Sequence, residues 1–459
     1  MINCPIPGFQ LSRTRVAADT TVYEGELEKV KMPCPKCAGE AYGNGKGEML
    51  VRDVSVGDTM IGWLVHPQKY LCKSQTCGQT WIQPILGVDR GHKMTHRLVD
   101  FIVNHAAEET ASSIANDIGI DPKTVADIFA ETADAALESR TIDTPRVMGI
   151  DEVRLGRKVR AVIVNIESKT IVEMLPDRKK ETVLEFFKGL PNKEKVEVVA
   201  MDAWNTYREV VKDTISGARI VLDKFHVHMM ATNAMEQARK HVRNRLTKKE
   251  AEGMKKDRSL LLSSPENLKS GQKLQLNAML ARYPVLSDCR SKYCEFREIW
   301  KAHDPEQAKE RIDNWRRGLR EQDDLPGAVP TQSPAAEFFD DVEKTFNEWE
   351  DEILAYFRDR TTNAFTESMN KAIRKLFELG NGYTFESLRR KILLSKSGIK
   401  KKTRKLRVPA FAPLVMGFYS GQGNAVGYEE VIVEENLGID PVAAAKALSE
   451  AWCIGVPRE

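Results

Sequence analysis

Between residues 146 and 223 the apolar positions gather into short unbroken runs instead of alternating with polar ones. Arg146-Val147-Met148-Gly149-Ile150-Asp151 is one such run, and Val196-Glu197-Val198-Val199-Ala200-Met201-Asp202 is another. Each reads as a buried strand that closes on a single carboxylate. Further strand-like runs lie at 158–166, 170–175 and 218–223, with helical spacing near 181–189, near 205–214 and from about 225. Three successive strands, then alternating helix and strand, predict an α/β sheet of mixed direction. Residues from about 236 to 360 look wholly helical and strongly charged. The sheet has its strands by then, so this block is expected to be a helical insertion. A helical segment, Thr361 to Lys371, follows it.

The N-terminal part is patterned differently. Residues 1–30 show little order, and 31–85 are Gly-rich and punctuated by cysteine, with strand-like pieces such as Tyr70-Leu71-Cys72. From about 93 to 140 the spacing is helical, and Pro145 then breaks the chain. The expected map is a zinc-binding module at 1–90, a helix-turn-helix domain at 91–142, the first part of an α/β core at 143–235, the helical insertion at 236–355, closing core helices at 356–400, and a basic segment with a tail at 401–459.

At 459 residues the chain is long enough for about three domains. Its 42% hydrophobic and 29% charged content are ordinary for a globular protein, and the net charge of +3 leaves nucleic-acid affinity to local basic patches. No apolar stretch approaches the roughly 18 residues that span a bilayer, and the start has no signal-peptide pattern. Eight cysteines with two close pairs suit reduced thiols and a metal better than a disulfide framework, which points to the cytoplasm.

Cys34 and Cys37 form a C-x2-C knuckle, and Cys72 and Cys77 a looser second pair. Four thiolates satisfy tetrahedral Zn²⁺, and a small Gly-rich module gains folding energy from that bond. Four unrelated thiols are the bland reading, and His66 could replace one cysteine. Cys289 and Cys294 read as buried thiols.

Thr110 to Ile118 predicts a short helix with Gly119 as its C-cap; Asp121-Pro122 then opens a second, Lys123 to Phe129. Ile114, Ile118, Val125 and Ile128 would share a core with Leu98, Phe101 and Ile102. This is the helix-turn-helix pattern, in which Lys123 and Thr124 would face DNA; a plain helical hairpin is the alternative.

Asp151, Asp202 and Glu367 are the chemistry-bearing candidates. Three converging carboxylates can hold two divalent cations about 4 Å apart, the arrangement that serves phosphodiester chemistry. At about 100° per residue Glu367, Asn370, Lys371 and Arg374 share one helix face. Phe365, Met369, Ala372, Ile373 and Leu376 lie opposite and are expected to bury against the sheet. Asn370, Lys371 and Arg374 would then extend toward a phosphate backbone, as would Arg243, Arg245, Lys400, Lys401 and Lys402 from basic runs; a solvated face is the commoner fate of such residues. Glu152 should point away from Asp151, and Asp223 should cap the helix starting at Lys224. His226 and His228 could support the acids from behind, but packing or surface roles are expected for each. Trp204 could pack beneath the site or stack on a base, and packing is favoured.

These elements match the order of a ribonuclease H-like fold, and several blocks resemble a named family. Gly149-Ile150-Asp151-Glu152, Met201-Asp202-Ala203-Trp204-Asn205-Thr206-Tyr207, Ile220-Val221-Leu222-Asp223-Lys224-Phe225-His226-Val227, Thr362-Asn363-Ala364-Phe365-Thr366-Glu367-Ser368-Met369-Asn370 and the later Gly382 to Leu393 together resemble DDE transposases of the ISL-three family of bacterial insertion sequences. Ala364 and Ser368 depart from the glycines expected around the glutamate, and the tail beyond 400 has no counterpart. The resemblance covers about 31–400. It implies a metal triad of Asp151, Asp202 and Glu367, and N-terminal domains that recognise terminal inverted repeats of double-stranded DNA. It implies a nucleoid-associated enzyme that cleaves at the element boundary and transfers the freed 3′-hydroxyl to target DNA. Mg²⁺ or Mn²⁺ would serve, with Asp151 bridging both ions, Asp202 on one and Glu367 on the other. A homodimer or larger assembly would hold two ends. A DNA-binding regulator on an inactive ribonuclease H-like scaffold, or a nuclease of the same fold that cuts without joining, stays open at this level.

Overall fold

The computed structural model describes residues 3–320, 333–394, 402–409 and 428–435. The chain divides into two compact units, one of residues 1–141 with 375–459 and one of residues 142–374.

In the first unit a six-stranded sheet has the order β1-β2-β5-β4-β9-β8, from β1 (Phe9–Val16), β2 (Thr20–Leu27), β4 (Met49–Val56), β5 (Thr59–His66), β8 (Val88–Asp89) and β9 (Met94–Thr95). A three-stranded sheet, β3 (Ala41–Lys46), β6 (Gln68–Cys72) and β7 (Thr80–Ile82), carries the second cysteine pair. Two strands therefore occupy residues 9–27, where the sequence shows little pattern. The reason is visible: nearly every β1 side chain is exposed, so no apolar face marks it. Asp53 is buried and accepts bonds from Trp63 Nε1 (2.8 Å), Thr95 Oγ1 (2.6 Å) and Arg97 Nε (2.7 Å), which ties the sheet to the first helix.

That helix, α1 (His96–Ala106), precedes α2 (Ala111–Ile118) and α3 (Pro122–Glu138). Thr110 and Asp121 cap the latter two by accepting from Ser113 N and Lys123 N, and Gly119 takes the left-handed conformation at φ 66°. Leu98, Ile102, Ile114, Ile118, Val125 and Ile128 are buried together, with Phe101 partly buried against them. Only the length of α3 differs from expectation, since the helix continues past Phe129 to Glu138.

The second unit is built on a five-stranded sheet of order β12-β11-β10-β13-β14. The strands are β10 (Val147–Leu155), β11 (Lys158–Asn165), β12 (Thr170–Met174), β13 (Val198–Met201) and β14 (Arg219–Leu222). β10, β11 and β12 pair antiparallel, whereas β10, β13 and β14 run parallel. Helices α4 (Lys180–Gly189) and α5 (Asn205–Thr214) cover one face, where Met148, Ile150, Val199, Met201 and Ile220 pack with Phe187 and Tyr207.

The other face meets α6 (Lys224–Arg243) and a helical block. The block comprises α7 (Lys248–Lys256), α8 (Arg258–Leu262), α9 (Ser270–Arg282), α10 (Pro284–Ile299), α11 (Pro305–Arg320), α12 (Ala336–Glu348) and α13 (Glu350–Asp359). It has an aromatic centre of Phe296, Trp300, Trp315, Phe339 and Phe346, continuous with Val147, Val198, Val221 and Leu222 of the sheet, so the expected helical insertion shares the sheet's core beneath its charged surface. After it, α14 (Ala364–Leu379) returns to the sheet.

In the first unit again, α15 (Phe385–Leu394) packs on α3 through Arg390 Nε to Asp134 Oδ1 at 2.6 Å. Strands β15 (Lys402–Pro409) and β16 (Tyr428–Glu435) pair antiparallel. Of the basic candidates, Lys400 and Lys401 lie outside the described residues, and Lys402 opens β15. Among the described residues no helix is long and apolar enough to cross a membrane.

Candidate active site and metal centre

Three aspartates stand in a row at one end of the parallel strands. Ile150 pairs with Met201 and Met201 with Leu222, so Asp151, Asp202 and Asp223 are each one residue further on. Adjacent strands lie about 4.8 Å apart, and equal register puts equivalent side chains on the same face. Asp151 does not close its strand as expected. β10 runs on to Leu155 because it keeps pairing with β11 beyond the end of β13. Glu152 points to the opposite face, as the pleat requires, where its carboxylate accepts from Arg178 Nη1 at 2.6 Å.

Helix α14 supplies the fourth acid, and a set of buried polar groups fastens its first turn to the row. Asn363 and Thr366 are fully buried. Asn363 Nδ2 donates to Ile150 O at 3.1 Å, its backbone N–H donates to Asp223 Oδ1 at 3.3 Å, and Thr366 Oγ1 donates to Asn363 Oδ1. One turn on, Asn370 Nδ2 donates to Asp151 Oδ2 at 2.7 Å and to Glu152 O at 3.3 Å. Gly149 is needed where the helix crosses: a Cβ there would sit 2.5 Å from Thr366 Oγ1 and 2.7 Å from Asn363 Oδ1.

The helix is thus rotated from the expected wheel. Thr366, Met369, Asn370 and Ile373 are its buried residues, while Lys371 and Arg374 are exposed. Asn370 is therefore no phosphate contact. It lies 2% exposed, bonded to Asp151, and its Oδ1 has no partner. The polar ends of the strands give a polar helix face something to bond, which periodicity alone cannot reveal.

The acids disturb one another. Burial first, then the nearby charge of Asp202, pushes the Asp151 carboxyl up to about 7, with Glu152 and Asp223 adding to it. Burial also raises Asp223, to about 6, with further contributions from Asp202 and Glu367. Asp223 is thus more than a helix cap: it is buried, coupled to two other acids and bonded to the α14 start. His226 is also more than packing. Its Nδ1 lies 3.4 Å from Asp202 Oδ2, and that partnership raises its pKa. His228 does pack, against Phe296 and Trp300, and burial lowers it to about 4. Trp204 is not under the site; it is 38% exposed with the Arg178 guanidinium 4.4 Å from its ring.

An oxygen-only set of acids at close quarters is the donor chemistry of hard divalent cations. Each carboxylate raises the cost of ionising the next, and a cation would lower that cost.

The cysteines form a second, separate centre in the first unit. Cys34, Cys37, Cys72 and Cys77 bring their sulfurs within 4.8 Å of one another, and among the described residues this is the group of three or more candidate ligands that does so. The carboxylate row is more open. Cys34 Sγ lies 3.7 Å from Cys77 Sγ, and Cys37 Sγ 3.6 Å from Cys72 Sγ. Zn–S bonds of about 2.3 Å place tetrahedral sulfurs roughly 3.8 Å apart, so the set fits Zn²⁺. Both knuckles turn alike: Ala38 and Gly78, each just after a cysteine, adopt φ 56°. The two extra residues of the second pair are taken up in the turn where Cys77 N and Gly78 N both reach Ser74 O. His66 is not a ligand here; its Nε2 lies 3.4 Å from Glu24 Oε1. Cys289 is buried, as expected, and Cys294 is half-buried.

Of the remaining DNA-contact candidates, Lys123 and Arg245 are exposed and Arg243 is half-buried. Thr124 lines a cleft with Leu50, Arg52, His92 and Lys93.

Residues 148–392, a little over half of the chain, match the model of a transposase family, the DDE type named for ISL-three elements. No curated protein matches the chain.

Proposed function

This chain belongs to the ISL-three family of transposases, and from that premise we propose that it cuts and joins DNA at the ends of a mobile element. Asp151, Asp202 and Glu367 are the cation-binding acids of a DDE centre in this reading. The observation that carries it is the register of β10 with β13, which sets Asp151 beside Asp202, together with the fastening of α14 at Asn363, which brings in Glu367. The strand order β12-β11-β10-β13-β14, antiparallel on one side of β10 and parallel on the other, supports a ribonuclease H-like core.

Bound Mg²⁺ or Mn²⁺ would activate the attacking oxygen and offset charge on the leaving one. The chain's own residues prepare for that. Asn370 holds one Asp151 oxygen and the Glu152 amide the other, at 2.7 and 2.6 Å, which fixes the carboxylate plane. His226 orients Asp202 from the far side of the row. Lys371 and Arg374, exposed on the Glu367 helix, are placed to meet phosphate oxygens and lower the charge around them.

In the first unit, α2 and α3 with their Gly119 turn serve as a helix-turn-helix, and Lys123 at the start of α3 faces the inverted repeat. Zn²⁺ on the four cysteines stabilises the module beside it. Two element ends have to be held at once, so a homodimer or larger assembly acts on double-stranded DNA.

Asp202→Ala protein tests the assignment. It should bind a duplex of the terminal repeat as the wild type does and give no strand cleavage in Mg²⁺. Cleavage at the wild-type rate by this variant would remove Asp202, and the triad with it, from the chemistry.

A further inference from the structure

Trp204 and Phe225 are the large aromatic side chains left exposed among the described residues of the second unit, at 38% and 54%. Both flank Asp202. The Trp204 amide donates to Asp202 O at 2.7 Å, and Phe225 precedes His226, whose ring reaches Asp202 Oδ2. Met229, 48% exposed one turn along α6 from Phe225, extends the apolar surface. Burying such a side chain gains roughly 1.5–3 kcal/mol, so apolar rings held in water beside a charged centre ask for an occupant.

The surroundings say which kind. Arg178 lies over the indole at 4.4 Å and is itself held by Glu152 at 2.6 Å, so the stacked pair is braced from the face of β10 opposite Asp151. Flat rings and a guanidinium plane beside an acidic centre suit a planar, hydrogen-bonding, uncharged group carried on a phosphate chain: a nucleobase. Paired bases already stack within the duplex, so a free ring face is useful to a base that has left it. We propose that Trp204, backed by Arg178, and Phe225 receive unpaired bases on either side of the phosphodiester presented to the carboxylates. The sequence favoured packing for Trp204; its 38% exposure instead leaves a ring face open to a base.

This inference rests on the transposase reading, and the test separates the two. Full-length protein is titrated by fluorescence anisotropy, with Ca²⁺ in place of Mg²⁺. The probes are duplexes copied from the DNA flanking the gene, with the three base pairs at the element boundary either matched or mismatched. Wild type should prefer the mismatched probe. Trp204→Ala and Phe225→Ala should each cut that preference by roughly 5- to 150-fold, the range for one base–aromatic stack, with matched-duplex affinity changed less than about twofold. Trp204→Phe should keep most of the preference, and Leu274→Ala, another exposed apolar residue, all of it. In the wild type, 5-iodouracil at the mismatched boundary should crosslink under near-ultraviolet light to the peptide bearing Trp204 or Phe225.

Equal wild-type affinity for the two probes, alanine variants that keep the preference, or a crosslink confined to other peptides overturns the base platform and leaves the transposase reading standing. Wild type that binds neither duplex removes that reading, and the platform falls with it.

Discussion

Asp151 and Asp223 hold their protons far above the ordinary carboxylate range, at about 7 and about 6. An unfolded aspartate titrates near about 3.9, so the folded state binds protons more tightly. The stability this confers is complete below about pH 4 and is lost as pH rises through both folded values. Thermal melts in EDTA should therefore show the midpoint falling between pH 5 and pH 8. Mg²⁺ should restore more of it at pH 8 than at pH 5, because protons compete with the ion. Asp151→Asn should flatten both trends, and an EDTA profile unchanged across that window would contradict the electrostatic account. Asn370 belongs to the same scale. Asn370→Ala leaves an Asp151 oxygen without its donor, for a stability loss of about 1–3 kcal/mol in denaturant melts and a raised Mg²⁺ requirement for cleavage. The sequence named Asp151 and Asp202 through their placement after apolar runs, and Glu367 through its place in a helical segment. It missed Asn370 as a support and ranked that role for His226 below packing, because a side chain's partner across 219 positions in one case, or across a helix turn and a strand end in the other, leaves no local signal.

At the scale of elements, the strands at 158–165, 170–174, 198–201 and 219–222 fall where the apolar runs put them, and the strand at 147–155 begins where expected but outruns its apolar run by four residues. Burial on both faces of a central sheet forces such runs, so they were legible. β1 was not, since a strand with exposed side chains carries no such constraint, and β2 was not because its buried positions include Thr21 and Gly25, which mark no apolar face. The rotation of α14 was also hidden: its wheel separates polar from apolar positions but cannot tell that the sheet offers Ile150 O, the Glu152 carbonyl and two carboxylates as acceptors. Gly149 is where that docking is tightest. Gly149→Ala should force α14 away from β10, costing about 1–3 kcal/mol by overpacking and lowering cleavage more than DNA binding. Circular dichroism melts with parallel binding and cleavage assays read the three quantities. Unchanged cleavage in this variant would mean the helix tolerates displacement.

For the whole molecule, the two units offer two different donor sets: soft thiolates in the first and hard carboxylates in the second. The cysteine spacing announced the first, and the fold shows how unequal spacings converge on one tetrahedron. Purified protein should contain about one zinc per chain by atomic emission. Cys77→Ser should lose it and expose the 1–141 segment to protease, while residues 142–374 stay resistant; zinc content unaffected by the substitution would place the ion elsewhere. The helical block between α6 and α14 was read as a charged insertion. Its aromatic centre is continuous with buried Val147, Val198, Val221 and Leu222 of the sheet, so block and sheet share one core.

The fastening of α14 has a consequence for how the protein comes into being. During synthesis Asp151 and Asp202 emerge early, yet the ribosome reaches Asn363 only after nearly four-fifths of the 459 residues. A nascent or prematurely ended chain lacks the last acid and its anchor, and it also lacks α15, which packs on α3 in the first unit. With Glu367 as the last cation ligand, cutting would wait until synthesis is nearly complete.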